Sequence, residues 1–331
     1  MNYSIDLLDT AHLLQLPEPL WLIDTMIHEQ EMGVLYGPPN VGKSFVALDW
    51  ALSVASGVPW LGHHATKRTP VLYMAGEGGA SLQKRVEAWM GYHEQTDPLI
   101  YFQCRPIPLL EDEAIEELKG VLAAVQYGHG EEPGLEPGLI IVDTLSQFIG
   151  AGDENGPEMA AFVANLRYLS QDQNAAVVIV HHTNKGGEQE RGHSALRGNV
   201  DVMFSVKGTK KNHQLTSIEL LNDKQRDEAQ VKPLELGVRS YSKSLVLFDQ
   251  VPTRLPGLVV GISSERLRNL LMVAGTIEET SKEIFQSEEW LLVSELMPST
   301  YAWQRNKLLK LKLIRAAFRS EERRVGKECR S

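Results

Sequence analysis

The sequence predicts an α/β fold: a mostly parallel sheet with helices on both faces, on three observations. Apolar strand-like runs alternate with stretches of helical period, as parallel strands joined by crossover helices require. One strand-like run, "MGVLY" at 32–36, leads straight into "GPPNVGKS" and then a helix-period stretch. Another, "LIIVD" at 139–143, is four apolar residues ending in a carboxylate, Asp143.

Strands are expected at 33–36, 71–75, 139–143, 176–180, 202–206, 215–220 and 244–248, and helices at 43–56, 80–93, 111–125 and 157–173. The acidic stretch "EDEAIEEL" reads as the wet face of one helix, with Ile115 and Leu118 turned inward, and "YGHGEEPGLEPG" as a surface loop. After "FDQVPTRLPG" the strand signal fades, so residues 1–250, with a lead-in at 1–28, form the α/β domain and 251–318 a helical region. That region has a short helix, a turn at Pro298 and a second helix carrying Arg305, Lys307, Lys310 and Lys312, a spacing compatible with a winged helix cut off before its wing. The alternative for its basic face is the polar side of a small bundle. Residues 319–331, "RSEERRVGKECRS", resemble the translation of a sequencing adapter and are set aside as non-native, so the natural C-terminus is expected to be missing.

The whole chain of 331 residues has 33 Lys and Arg against 43 Asp and Glu. Without the tail the charge is near −12, from 28 bases and 40 acids. No apolar run approaches the length of a membrane span and the N-terminus lacks a signal-peptide pattern, so a cytoplasmic protein with no membrane partner is expected. Cys104 and Cys329 have no metal-site spacing and give no disulfide framework.

Gly37, Gly42, Lys43 and Ser44 satisfy G-x-x-x-x-G-K-[ST] between a strand and a helix, the context in which that string binds phosphate. The loop Gly37, Pro38, Pro39, Asn40, Val41, Gly42, Lys43, Ser44 and Phe45 is therefore the candidate nucleotide cradle, opening an amphipathic helix. Its glycines let backbone N–H groups turn inward, Lys43 reaches the outer phosphates, and the Ser44 hydroxyl ligates Mg²⁺. Asn40 stands where many such loops carry glycine, and asparagine tolerates left-handed dihedrals. Asp143 is expected beside this loop as a second Mg²⁺ ligand, the pair coming from adjacent strand ends.

Glu77, in "VLYMAGEGG", lies just past a strand end in a glycine-rich bend, placed to orient the attacking water of a phosphoryl transfer; the plainer reading is a solvated loop glutamate. "VVIVHHTNKGG" ends a strand in two histidines whose side chains point to opposite faces, so they do not chelate one ion. One of His181 and His182 is a candidate γ-phosphate sensor and the other a packed residue, with nothing in the residues to choose between them.

Taken together, these stretches resemble the RepA-type branch of RecA-like ATPases, the plasmid and phage relatives of hexameric replicative helicases. The similarity runs from Pro17 to about Gly237, with the motifs in the family's order. It implies a RecA-like fold, ATP and Mg²⁺ as cofactors, and a ring of identical subunits, expected as a hexamer, with ATP sites shared between neighbours. It also implies single-stranded DNA as partner, with a primase or other replication proteins among the candidate partners. Position by position it supports Lys43 and Ser44 on phosphate and metal, Asp143 on metal, Glu77 as catalytic carboxylate and His182 as sensor. "NDKQRDE" resembles the "KQRN" stretch whose lysine and arginine reach across the subunit interface, here Lys224 and Arg226, with Asp227 in place of asparagine; Arg197 in "SALRGNVD" is the rival.

In such rings the segments after the metal-binding and sensor strands, here 145–157 and 183–199, project into the central channel. From Thr183 to His213 there are six bases, Lys185, Arg191, Arg197, Lys207, Lys210 and Lys211, against three acids, a local excess in an acidic chain. That segregation suits a channel tracking DNA phosphates, with Lys185, Arg191 and Arg197 as contacts, because counterion release depends on local clusters. The expected activity is an ATP-driven ring helicase. The alternative is an ATP-switched DNA-binding or loading ATPase that does not unwind DNA.

Overall fold

The central strands are buried along their whole length. The computed structural model describes residues 9–16, 18–61, 64, 66–76, 79–127, 135–154, 156–182 and 193–249. The chain divides at Gln250/Val251, and all of these lie on the N-terminal side. The helical region expected at 251–318 and the tail at 319–331 fall outside the described residues.

In chain order the elements are α1 (Thr10–Leu13), β1 (Trp21–Ile23), β2 (Ile27–His28), β3 (Met32–Gly37), α2 (Lys43–Ser56), β4 (Val71–Ala75), α3 (Gly79–His93), β5 (Ile100–Gln103) and α4 (Asp112–Tyr127). Next come β6 (Leu139–Asp143), α5 (Leu145–Phe148), α6 (Glu158–Asp172), β7 (Ala176–His182), α7 (His193–Asn199), β8 (Val202–Lys211), β9 (Gln214–Gln225), β10 (Leu234–Tyr241) and β11 (Ser244–Asp249). Nine strands form one sheet in the order β11-β10-β9-β8-β3-β7-β6-β4-β5. From β8 to β5 all neighbours are parallel, while β9, β10 and β11 add an antiparallel meander at the other side. This is a RecA-like P-loop core.

Each face of the sheet carries its own apolar cluster. Leu35, Tyr73, Ile141 and Val178 pack against α2 and α3, whereas Val34, Leu72, Ile140 and Val177 pack against α4, α5 and α6. Consecutive strand residues thus feed opposite cores, which is why these strands read as unbroken apolar runs.

The helix after the phosphate loop differs from expectation. Eleven of the 14 residues of α2 are buried, so it is a central helix covered nearly all round and not a one-sided amphipathic one. Its one buried acid, Asp49, accepts hydrogen bonds from the indole N–H groups of Trp60 at 2.7 Å and Trp89 at 2.5 Å. A carboxylate among apolar side chains is stable there because both of its oxygens have donors.

The segment after β6 also differs. Thr144, Leu145, Phe148 and Ile149 are buried in the second core, so the start of 145–157 is packed and does not project from the sheet. Apolar residues at this spacing form α5, and a continuous run of exposed and half-exposed positions begins only at Gly150.

Candidate active site

The phosphate loop is shaped by backbone conformations that few residues adopt. Asn40 has φ 62° and Gly42 φ 105°, both left-handed. A Cβ on Gly42 would run into the Ile218 side chain of β9, so that position requires glycine twice over. Gly42 caps α2 with no side-chain hydrogen bond to its first turn, and its carbonyl takes the Phe45 N–H at 3.0 Å and the Val46 N–H at 3.1 Å. The helix dipole favours an anion at this point.

Strand register brings the other groups to the same edge. Gly37 pairs with His182, Asp143 with Val180, and Ala75 with Asp143, so β3, β7, β6 and β4 all end here. The two metal ligands were expected on adjacent strand ends, and the structure corrects this: β7 lies between β3 and β6. Ser44 nevertheless donates its hydroxyl to Asp143 Oδ1 at 3.0 Å, because it stands on the first turn of α2, beyond the strand end. Tyr73 O–H donates to the other oxygen, Oδ2, at 2.6 Å. Burial, and secondarily the Asp143 charge, push the Tyr73 phenol well above its ordinary pKa, so it remains a donor.

Lys43 is buried and its ammonium donates to Gly37 O at 2.9 Å and Pro38 O at 2.8 Å. It also lies 3.1 Å from His182 Nδ1. An ammonium can only donate, so Nδ1 is the acceptor there. The two histidines are now distinguished: His182 faces Lys43 from the end of β7, and His181 is buried in the sheet.

A cavity of about 490 Å³ opens over the loop. Phe45 lines it beneath the Arg85 guanidinium, whose Cζ is 4.6 Å from the ring centroid, and Leu245 lines it as well. Lys210 and His213 complete the wall from the β8–β9 hairpin, whose Asn212–His213 tip has positive φ at both residues. This corrects the reading of the basic stretch to His213 as one channel segment. Lys207 and Lys210 belong to a hairpin strand, where Lys207 stands 3.9 Å from Glu219 and Lys210 turns to the phosphate loop. Two oxygens at 3.0 Å suit a hard cation that keeps most of its own water and phosphate ligands. Among the described residues no three of His, Cys, Asp and Glu gather into an alternative cage.

Lys224 and Arg226 lie at the opposite sheet edge. Asp201 and Met32 bond to each other at the start of β3, and Arg226 donates to the Asp201 carboxylate at 2.6 Å, whereas Lys43 comes after the end of that strand. Five residues of strand at roughly 3.3 Å each put about 16 Å between the two edges, so Arg226 does not serve the pocket of its own chain. Lys224 donates to Arg197 O and Val200 O, both at 2.6 Å; burial, and then the Arg226 charge, lower its pKa. Arg197 donates to Asp223 O at 3.2 Å and stands on α7, which packs through Leu196. Glu77, Lys185 and Arg191 lie outside the described residues.

Sequence reasoning missed Tyr73, Arg85, His213 and Asp201. Tyr73 had a legible signal: a phenol in a central strand needs a buried partner for its O–H, and the nearby strand-ending carboxylate is the obvious one.

Fold and site together define a P-loop ATPase of the RecA kind. The chain belongs to the AAA domain family, whose profile matches residues 5–188, more than half of its length. Among solved structures, a KaiC-like protein from the hyperthermophilic archaeon Pyrococcus horikoshii OT3 is similar at 13% identity, over 69% of this chain and 93% of that one. The TM-score of that match is 0.47. Among the described residues no helix is long and apolar enough to cross a membrane.

Proposed function

We propose that the chain hydrolyses ATP with Mg²⁺ and uses the energy to move along single-stranded DNA, as a subunit of a RepA-like ring helicase. The observation that supports the chemistry best is the meeting of Lys43, Ser44, Asp143 and His182 at one sheet edge, from three separate strand ends. In this reading Lys43 and the α2 N-terminus hold the outer phosphates, and Ser44 and Asp143 hold Mg²⁺. The metal supplies charge neutralisation on the phosphates. Phe45, Arg85 and Leu245 offer apolar and cationic surfaces on the cavity wall for the base to lie against, with the Arg85 guanidinium over the Phe45 ring.

Glu77, two residues past the end of β4, is the proposed base that orients water. His182 couples the pocket to residues 183–192, where Lys185 and Arg191 are the proposed DNA contacts. Arg226 of each subunit, with Lys224 beside it, acts on the pocket of the next. Its place on the edge away from its own Lys43 supports a role in trans, because no reach within one chain joins them. Rotation between sites would then drive translocation, with a hexamer as the expected ring and primase among the candidate replication partners.

Strand displacement tests the motor reading. A duplex with a 5′ or 3′ single-stranded tail is expected to be separated in the presence of ATP and Mg²⁺. DNA-stimulated hydrolysis without displacement of either substrate would falsify the helicase assignment and leave an ATP-switched DNA-binding or loading factor.

A further inference from the structure

Given the reading of Arg226 as a cation offered to a neighbouring subunit, we infer that Asp201 is its positioning residue. The Asp201 carboxylate is 5% exposed and accepts four hydrogen bonds. Met32 N–H binds Oδ2 at 2.9 Å and fixes the carboxylate to the first residue of the phosphate-loop strand. Arg167 grips it with both ends of its fork, Nη1 to Oδ2 at 2.6 Å and Nη2 to Oδ1 at 3.0 Å. Arg226 contributes a single contact, Nη1 to Oδ1 at 2.6 Å.

The two arginines are therefore not equivalent. Arg167 turns its fork inward, its Nη2 also donating to Asn199 O at 2.7 Å, and its side chain is 28% exposed. Arg226 has one short contact to the carboxylate and two long ones, Nη2 to Gly198 O and Val200 O at 3.4 Å, and its side chain remains 45% exposed. Arg167 takes up much of the carboxylate's charge, so Asp201 orients Arg226 without neutralising it. Four cations, Arg167, Arg197, Lys224 and Arg226, stand at this edge, where Glu29, Glu31 and Asp227 line a cavity together with Arg167 and Asp201. Of the other acids in the segment, Asp223 accepts from Tyr36 O–H and Ser205 N–H.

A free arginine gives up rotamer entropy when it is fixed. Tethering it beforehand removes much of that cost at the moment a neighbour's phosphate arrives. A displacement of about 1 Å in a positioned group costs on the order of a hundredfold in rate, which sets the size of the expected effect.

The test is steady-state ATP hydrolysis by the full chain carrying Asp201→Asn, alone and mixed with Lys43→Ala subunits. For Asp201→Asn alone, kcat is expected to fall about a hundredfold with KM within about twofold of the parent. In the mixture a Lys43→Ala subunit lends its intact Asp201–Arg226 edge to the intact phosphate loop of an Asp201→Asn neighbour, and turnover returns. A carboxylate that merely supports its own β3 gives no such recovery, so loss without complementation overturns the inference. Unchanged turnover in Asp201→Asn, with Arg226→Ala inactive, overturns it while sparing the reading of Arg226. Full activity of Arg226→Ala overturns both. Should Asp201→Asn fail to fold by circular dichroism, Asp201→Glu, which keeps the charge but moves it by one methylene, is read by the same two measurements with the same expected outcomes.

Discussion

Ser44 Oγ and Asp143 Oδ1 meet at 3.0 Å across 99 residues of sequence. A strand-to-helix loop and a strand two places away in the sheet have to be built correctly for that contact to form. It gives the site its oxygen pair, and Tyr73 holds the far side of the same carboxylate.

Tyr73→Phe removes that support while keeping the ring in the core. Loss of a residue that orients a metal ligand costs about 10 to 100-fold in metal affinity. The concentration of Mg²⁺ needed for half-maximal hydrolysis is expected to rise by about that factor. Stability falls by about 1–3 kcal/mol, since one buried carboxylate oxygen loses its donor. The phenol's folded-state pKa is raised above its ordinary value, so its contribution is complete below pH 10 and declines as pH rises toward the folded value. Urea denaturation of parent and variant should therefore show a constant gap from neutral pH to pH 9 that narrows above pH 10.

Asp49→Ala tests the brace inside α2. Two buried indole N–H groups lose their acceptor, and each unsatisfied donor costs about 1–3 kcal/mol. Thermal unfolding should show a large drop in Tm, and the Asp49→Asn counterpart, which keeps an acceptor, should lose less. Equal losses would mean that the two indoles do not depend on this oxygen pair.

The sequence made some of this site legible and concealed the rest for physical reasons. Gly37 to Ser44 declare themselves because phosphate binding demands particular backbone geometry at fixed spacing, and Asp143 and His182 stand at the ends of apolar runs too polar to be core. The seven strands expected from those runs are all present. β5 escapes the sequence pattern because all four of its residues are only half-buried, as befits the outermost strand. β10 escapes it because Gly237 and exposed polar residues interrupt its apolar positions. The outer half of β8 carries Lys207, Lys210 and Lys211 on exposed positions, so it reads as a charged loop although it pairs with β9, across a register shift between Thr209 and Lys210. Asp201 reads as an ordinary acid in a basic stretch, since nothing in the sequence joins it to Arg167.

Arg226→Ala separates binding from turnover. ATP affinity, measured with a fluorescent analogue, should stay near that of the parent. Turnover should fall by about 10³-fold or more, as for other arginines supplied in trans. An unchanged rate would transfer the role to Arg197, the other cation of this edge.

Phosphate release with and without single-stranded DNA, in the parent and in Lys43→Ala, tests the central claim most directly. The parent is expected to hydrolyse ATP only with Mg²⁺, faster when DNA is added, and Lys43→Ala to bind and hydrolyse none. Turnover that survives Lys43→Ala, or that is indifferent to both metal and DNA, would contradict the account.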